Sequence, residues 1–168
     1  MKFYIKQRVF TFRETFDIKD QHDRVAYKVV GRIMTLSKKF DIMDPKGKSK
    51  AKVRRQIISI FPRYTIKIDG KKYVLKRKFS FFKHKFSVTN TNWKLKGDFI
   101  NRSYDILENG HPVMTLRKHW FSWGDSYEIR IPKKEDELLA LAIAIALDAE
   151  LARNKKEIRN IKAEQNKR

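Results

Sequence analysis

The sequence predicts a mainly β protein, a closed antiparallel β-barrel wrapped around one buried hydrophobic C-terminal helix. Roughly ten to twelve short stretches of alternating apolar and polar residues follow one another at hairpin spacing. Near the end, Leu138 to Leu147 reads LLALAIAIAL, ten residues without a polar side-chain atom. A helix with no polar stripe has to be surrounded on every side. A sheet that closes on itself supplies that surround and removes its own unpaired edges. With 168 residues, the chain is one ordinary domain, long enough to bury a core without disulfides or metals.

The elements follow in order. Val25, Tyr27, Val29, Gly31 and Ile33 alternate with Ala26, Lys28, Val30 and Arg32, the period of a strand. Tyr64, Ile66 and Ile68 alternate with Thr65, Lys67 and Asp69. The pair Asp69-Gly70 then turns the chain into Tyr73, Leu75, Arg77, Phe79 and Phe81. After Phe81 the apolar phase slips by one, to Phe82, His84, Phe86 and Val88, which predicts a bulge or tight turn near Phe82–Lys83. Asn109-Gly110 signals another hairpin between Tyr104–Leu107 and Pro112–Leu116. Tyr127, Ile129 and Ile131 form the last strand before the helix.

The helix is expected over residues 136–152. Glu135, Asp136 and Glu137 suit its positive N-terminal end, and Arg153, Lys155 and Lys156 its negative C-terminal end. Asp148 and Glu150 interrupt the apolar run, which falls well short of the ~20 residues that cross a bilayer. The domain therefore covers 1–152, central helix included. Residues 153–168 read as a polar, charge-balanced tail that extends the helix and frays. The chain has no internal repeat and no low-complexity linker.

Forty Lys and Arg against 19 Asp and Glu give a formal charge of +21, where a small soluble domain carries a magnitude of ~2–8. Twelve Phe, six Tyr and three Trp exclude a disordered basic tail. Zero cysteines exclude a disulfide scaffold, a thiolate zinc site and a Cys nucleophile. The opening MKFYIKQRVF has neither an apolar h-region nor a small-residue cleavage site, so a cytoplasmic protein without signal peptide is expected. The charge is uneven. Residues 135–168 hold seven basic and seven acidic side chains, whereas Pro45 to Phe86 holds 15 Lys and Arg and one acid, Asp69.

The segment Trp93–Tyr104 (WKLKGDFINRSY), its continuation Asp105-Ile106-Leu107, and His119–Ile131 (HWFSWGDSYEIRI) resemble the LURP-one-related family. Phe12–Gly31, with Asp17-Ile18-Lys19-Asp20, is similar to that family's opening hairpins, and Leu138–Leu147 to its buried C-terminal helix. The most specific match is Trp123, Gly124, Asp125 and Tyr127. The resemblance covers about residues 1–152 in the family's order. It implies the fold shared with tubby proteins and phospholipid scramblases, a twelve-stranded closed barrel threaded by a hydrophobic helix. Relatives in that fold bind phosphoinositides through basic surface residues or act at membranes, and none of their contact residues transfers to a numbered position here.

Enzyme signatures are weak. Lys46-Gly47-Lys48-Ser49 contains the end of a P-loop, but Ile42 stands where its first glycine belongs, so it reads as a charged loop. His22, His84, His111 and His119 lack metal-ligand spacing, and His84 falls on an apolar phase that suits a hydrogen-bonded core histidine. Asp98, Asp105, Asp125 and Glu128 fit strand ends and turns better than a two-carboxylate site. No GxSxG is present. Trp120-Phe121-Ser122-Trp123-Gly124-Asp125 could stack on a base or enter a membrane interface, but filling one end of a barrel beside a Gly-Asp turn is the favoured reading. No catalytic residue, metal or cofactor is expected.

Function is argued from the basic block. Lys46, Lys48, Lys50, Lys52, Arg54 and Arg55 run from loop into strand, and Lys71 and Lys72 sit at the neighbouring hairpin. Lys76 and Lys78, and after the slip Lys83 and Lys85, lie on the outward phase. On adjacent strands these cations would merge into one field several kT deep. A solvated, solubilising face is the bland alternative; 15 cations with one acid favour an anionic partner. Lipid headgroups rank first, at ~1 kcal/mol per Lys or Arg near an anionic bilayer. Nucleic acid ranks second: KRKFSFFKHKF lacks the glycines of an RNA-recognition motif, and Lys outnumbers Arg by 26 to 14, against base readout. An acidic protein partner ranks third. The expectation is an anion-binding module without enzymatic activity, peripheral to the inner face of the plasma membrane.

Overall fold

The computed structural model describes residues 1–6, 15–34, 37–59, 61–78, 85–121 and 124–165. Alternating apolar and polar side chains form twelve strands: β1 (Lys2–Lys6), β2 (Thr15–Asp20), β3 (Val25–Met34), β4 (Ser37–Met43), β5 (Ser49–Arg55), β6 (Arg63–Ile68), β7 (Lys71–Lys78), β8 (Lys85–Val88), β9 (Trp93–Asp98), β10 (Ser103–Glu108), β11 (His111–Phe121) and β12 (Gly124–Arg130). A 3-10 turn, Lys134–Asp136, leads into helix α1 (Glu137–Gln165). Each strand pairs antiparallel with its sequence neighbours, and β1 pairs with β12, so the sheet is a closed barrel. The amide of Ile131 donates to the Met1 carbonyl at 2.9 Å beside that seam.

Turn chemistry matches the sequence expectation. Asp69-Gly70 and Asn109-Gly110 adopt φ of 45° and 77°, and 50° and 86°, the doubly positive backbone that tight hairpins need. Gly97 has a different reason. A Cβ there would meet the Ser103 carbonyl oxygen at 2.7 Å, so only glycine lets β9 and β10 approach. The phase slip expected near Phe82–Lys83 falls outside the described residues. Phe86 and Val88 do point inward after it, as their phase requires.

The inward phase of the strands fills the barrel: Phe3 and Ile5 from β1, Phe16 and Ile18 from β2, Ala51 and Val53 from β5, Tyr64 and Ile66 from β6, and so on round to Tyr127 and Ile129 of β12. Every residue from Leu139 to Leu151 is buried, on all sides of the helix. Hydrophobic burial on this scale is the main stabilising contribution.

Polar contacts fix the helix at both ends. Where it enters, here called the floor, the Tyr27 hydroxyl donates to Glu137. Where it leaves, the mouth, Tyr64 Oη donates to Glu150 Oε2 at 2.9 Å, Arg153 pairs with Glu150 Oε1 at 2.9 Å, and Arg102 pairs with Asp148. The acids that break the apolar run thus mark the point where the helix meets cations and a tyrosine. Beyond Ala152 the helix does not fray at once but continues to Gln165. Arg, Lys, Glu, Ala and Gln are good helix formers, and propagation from an already formed turn is easy, so the extension persists without cover. Among the described residues, no helix is long and apolar enough to cross a membrane.

Two outcomes follow from the enclosed helix. Ala144 is 1% exposed. Ala144→Asp would place a carboxylate there without a partner, and it should yield insoluble protein with no cooperative melt; a soluble, cooperatively melting variant contradicts the enclosure. The second concerns alkali. Burial, then the neighbouring acids Glu150 and Asp148, push the Tyr64 and Tyr104 hydroxyls well above the usual tyrosine range. In the unfolded chain they ionise near ~10. Their raised folded values stabilise the barrel fully below that pH, and the contribution is lost as pH climbs from there through the folded values. Melting temperature should fall above pH ~10, with tyrosinate absorbance from these two residues appearing together with loss of the circular dichroism signal. Their ionisation in an intact barrel would count against the buried pairing.

Candidate anion-binding surface

Inward side chains being committed to the helix, the outward phase of the barrel is free to carry charge. On the wall built by β3 to β9 the register aligns it in rows. Asp41, Lys52, Lys67 and Lys72 face one another directly across β4, β5, β6 and β7. Arg32, Lys39 and Arg54 do so across β3, β4 and β5. Arg63 and Lys76 form a third row, which continues through Ser87 to Lys94. Side chains directly opposite on one face have Cβ atoms ~4.5–5.5 Å apart, and like charges there are destabilising. Asp41 is the single acid in these rows, and it accepts a hydrogen bond from Ser49 Oγ at 2.5 Å. Among the described residues, Arg32, Lys39, Lys52, Arg54, Arg63, Lys67, Lys72 and Lys76 form no ion pair.

The opposite wall behaves differently. Glu128 on β12 pairs with Arg130 and accepts from Tyr4 Oη at 3.0 Å, and Arg117 pairs with Asp105 at 2.7 Å. Burial pushes the Glu128 carboxyl up, but the hydrogen bonds from Arg130 and Tyr4 outweigh it and hold it below the usual carboxylate range. On this side the acids Glu128 and Asp105 each have a cationic partner, although Lys2 and Arg130 also face each other across β1 and β12.

The residues expected from sequence fall into three groups. Lys50, Lys52, Arg54, Lys72 and Lys76 stand on the cationic wall. Lys46 and Lys48 lie in the exposed β4–β5 turn at the floor, where their amides donate to Asp44 Oδ1 at 3.0 and 2.9 Å, and Lys71 is exposed at the adjacent turn. That placement between two antiparallel strands also confirms the P-loop-like tetrapeptide as a charged turn. Arg55 leaves the set: Ala51, Val53 and Arg55 share the inward phase of β5, and Arg55 Nε lies 3.6 Å from Glu150 Oε2 at the mouth. Lys78 and Lys85 are opposite each other in the β7–β8 ladder, but their side chains, like all of Lys83, lie outside the described residues. So do the side chains of Trp120–Asp125 and all of His84.

Sequence reasoning missed Arg32, Lys39, Arg63, Lys67 and Lys94. Their outward phase was legible in the alternation, but the row each joins depends on pairing register. Among the described residues, no three His, Asp or Glu side chains group to hold a metal ion. A groove of about 530 Å³ at the floor, whose lining includes Glu108, His111, Pro132, Lys133 and Asp136, sets two acids against one lysine and so offers an anion no excess of cations. Burial, then Glu135 and Glu108, raise the Asp136 carboxyl there.

The cationic rows carry a stability prediction. Lys67→Glu turns two repulsive facing pairs into attractive ones, so it should raise stability at low salt by roughly 0.5–2 kcal/mol. The gain should shrink near ~1 M salt, where the screening length is ~3 Å. Denaturant melts at both ionic strengths measure it; a variant less stable at low salt contradicts the alignment of Lys52, Lys67 and Lys72.

Comparison with known proteins agrees with the architecture. The model of the LURP-one-related family matches residues 1–148, and the chain belongs to that family. The uncharacterized protein YxjI of Bacillus subtilis is 34% identical over 158 residues, spanning 94% of this chain and 98% of that one. An X-ray structure of a protein from Arabidopsis thaliana shares the fold, with a TM-score of 0.61 at 16% identity over 89% of this chain and 90% of the other.

Proposed function

We propose that this LURP-one-related protein is a non-enzymatic module that docks on anionic lipid headgroups through the β3–β9 wall, as a peripheral protein of the inner face of the plasma membrane. The observation that carries the reading is the direct facing of Arg32, Lys39 and Arg54, and of Lys52, Lys67 and Lys72, with Asp41 the one acid in their rows. Such rows cost folding stability, and core packing gives no reason for them. An anionic surface offsets that cost by neutralising the field, at ~1 kcal/mol for each Lys or Arg held near it.

The outward described positions of β5, β6 and β7 hold Lys, Arg, Ser, Thr and Val, while the aromatics Tyr64 and Tyr73 face the helix. Single-stranded nucleic acid is bound by exposed aromatics that stack on bases, and this wall offers none at those positions. Lysine-rich, delocalised charge suits a fluid array of headgroups, where no fixed bidentate geometry is required.

Co-sedimentation with phosphatidylserine-containing vesicles and with neutral vesicles, at near-physiological salt and with RNA as competitor, tests the reading. Binding to the anionic vesicles should survive RNA. Reversal of Lys52, Lys67, Lys72 and Lys76 together to Glu should abolish it, and any single reversal should weaken it only a few-fold. Capture by RNA assigns the wall to nucleic acid. Absence of pelleting leaves an acidic protein as the partner.

A further inference from the structure

The barrel is also polarised from end to end. Met1 and the start of the helix lie at the floor, and the strands alternate in direction, so the β5–β6 and β9–β10 connections lie at the mouth. These two connections carry exposed large apolar side chains: Ile58 is 98% exposed, Ile100 53%, Ile57 46% and Phe61 43%. Described residues of the β5–β6 connection are tied to one another and to β6. The Gln56 amide donates to the Arg63 carbonyl at 2.8 Å, Gln56 Nε2 donates to Thr65 Oγ1 at 2.9 Å, and Ser59 Oγ donates to the Phe61 carbonyl at 2.6 Å. Ile58 lies between these contacts in solvent, where it contributes no packing to the fold.

Arg54 and Arg63, both exposed, flank this loop on β5 and β6. They are also members of the cationic rows, so apolar tip and basic wall form one continuous surface. Three further mouth arginines, Arg55, Arg102 and Arg153, are turned onto Glu150 and Asp148. Exposed aliphatic side chains rimmed by free cations match the depth profile of a bilayer interface, with apolar groups below and cations level with the phosphates. A protein partner would be met by the same apolar atoms, but the cation rim and its continuity with the wall favour an anionic lipid surface.

We infer that the β5–β6 loop inserts Ile57 and Ile58 into the acyl boundary of an anionic bilayer, anchoring the mouth of the barrel while Arg54 and Arg63 engage headgroups. The inference rests on the lipid reading of the wall and adds the orientation of docking and an apolar, salt-resistant component of binding.

The absence of cysteine makes the test direct. Ile58→Cys, labelled with an environment-sensitive fluorophore, is mixed with phosphatidylserine–phosphatidylcholine vesicles and with phosphatidylcholine vesicles, and pelleting is followed in parallel. A His22→Cys label at the floor serves as the reference. Insertion predicts a blue shift and quenching by acyl-chain quenchers at position 58 and neither at position 22. Ile57→Ser with Ile58→Ser should lower vesicle affinity roughly tenfold or more and remove the binding that persists at high salt. Pelleting with no shift at position 58 overturns insertion and leaves the electrostatic reading standing. A shift at both positions overturns the orientation. Failure of the unlabelled protein to pellet overturns both readings.

Discussion

A helix without a polar face is the constraint on which this structure depends. From Leu139 to Leu151 every side of α1 is covered, and no single layer of strands or helices can do that. A closed sheet can, provided that the strands devote their inward phase to apolar residues. The barrel is therefore less a container that holds a helix than the solution to exposing one. Where the apolar run ends, burial of Asp148 and Glu150 is tolerable because Arg102, Arg153 and Tyr64 meet them. Removing a cation there would leave a carboxylate buried and uncompensated, a larger loss than the pair's net worth. Those contacts set how far the helix slides into the barrel, since a shift of one turn would bury its charges among Ile and Leu.

Closure has a second consequence, for the outside. Because side chains alternate strictly, committing one phase to the core frees the other, and stability then places little restriction on what the outer wall carries. On the β10–β12 side that freedom is used conservatively, with acids and bases in pairs. On the β3–β9 side it is used to gather one sign of charge. Five facing cation pairs in those rows are a local violation of good sheet design that a large apolar core can absorb.

The two ends differ as well. At the floor are tight hairpins built on Asp69-Gly70 and Asn109-Gly110, with polar tips. At the mouth, Ile57, Ile58 and Ile100 stand in water beside the emerging helix, which carries a further exposed apolar residue, Ile158. Among the described residues, the exposed apolar side chains of the β5–β6 connection thus adjoin the basic wall. Wall and loop are joined through the consecutive stretches of β5 and β6.

Much of this was legible in the residues. Alternation specified that Tyr27 and Val29, Tyr64 and Ile66, and Tyr127 and Ile129 point inward, because the period of a strand is two irrespective of its neighbours. The decapeptide Leu138–Leu147 required enclosure, and Asp69-Gly70 and Asn109-Gly110 required hairpins, since few residues accept their backbone. The clustering of Lys and Arg between Pro45 and Phe86 was plain composition. Three things were decided only in three dimensions. Arg55 looked like a surface cation in a basic run, but its phase and the position of Glu150 draw it inward. Lys67, Arg63, Arg32 and Lys39 became parts of rows only through the register across neighbouring strands, which no local pattern contains. How far the expected helix extension holds, to Gln165 without early fraying, follows from last turns that grow out of a segment already held by the barrel. Local chemistry settles what each residue can do on its own; which charges stand face to face depends on pairing between segments distant in the chain, and that is a property of the closed sheet.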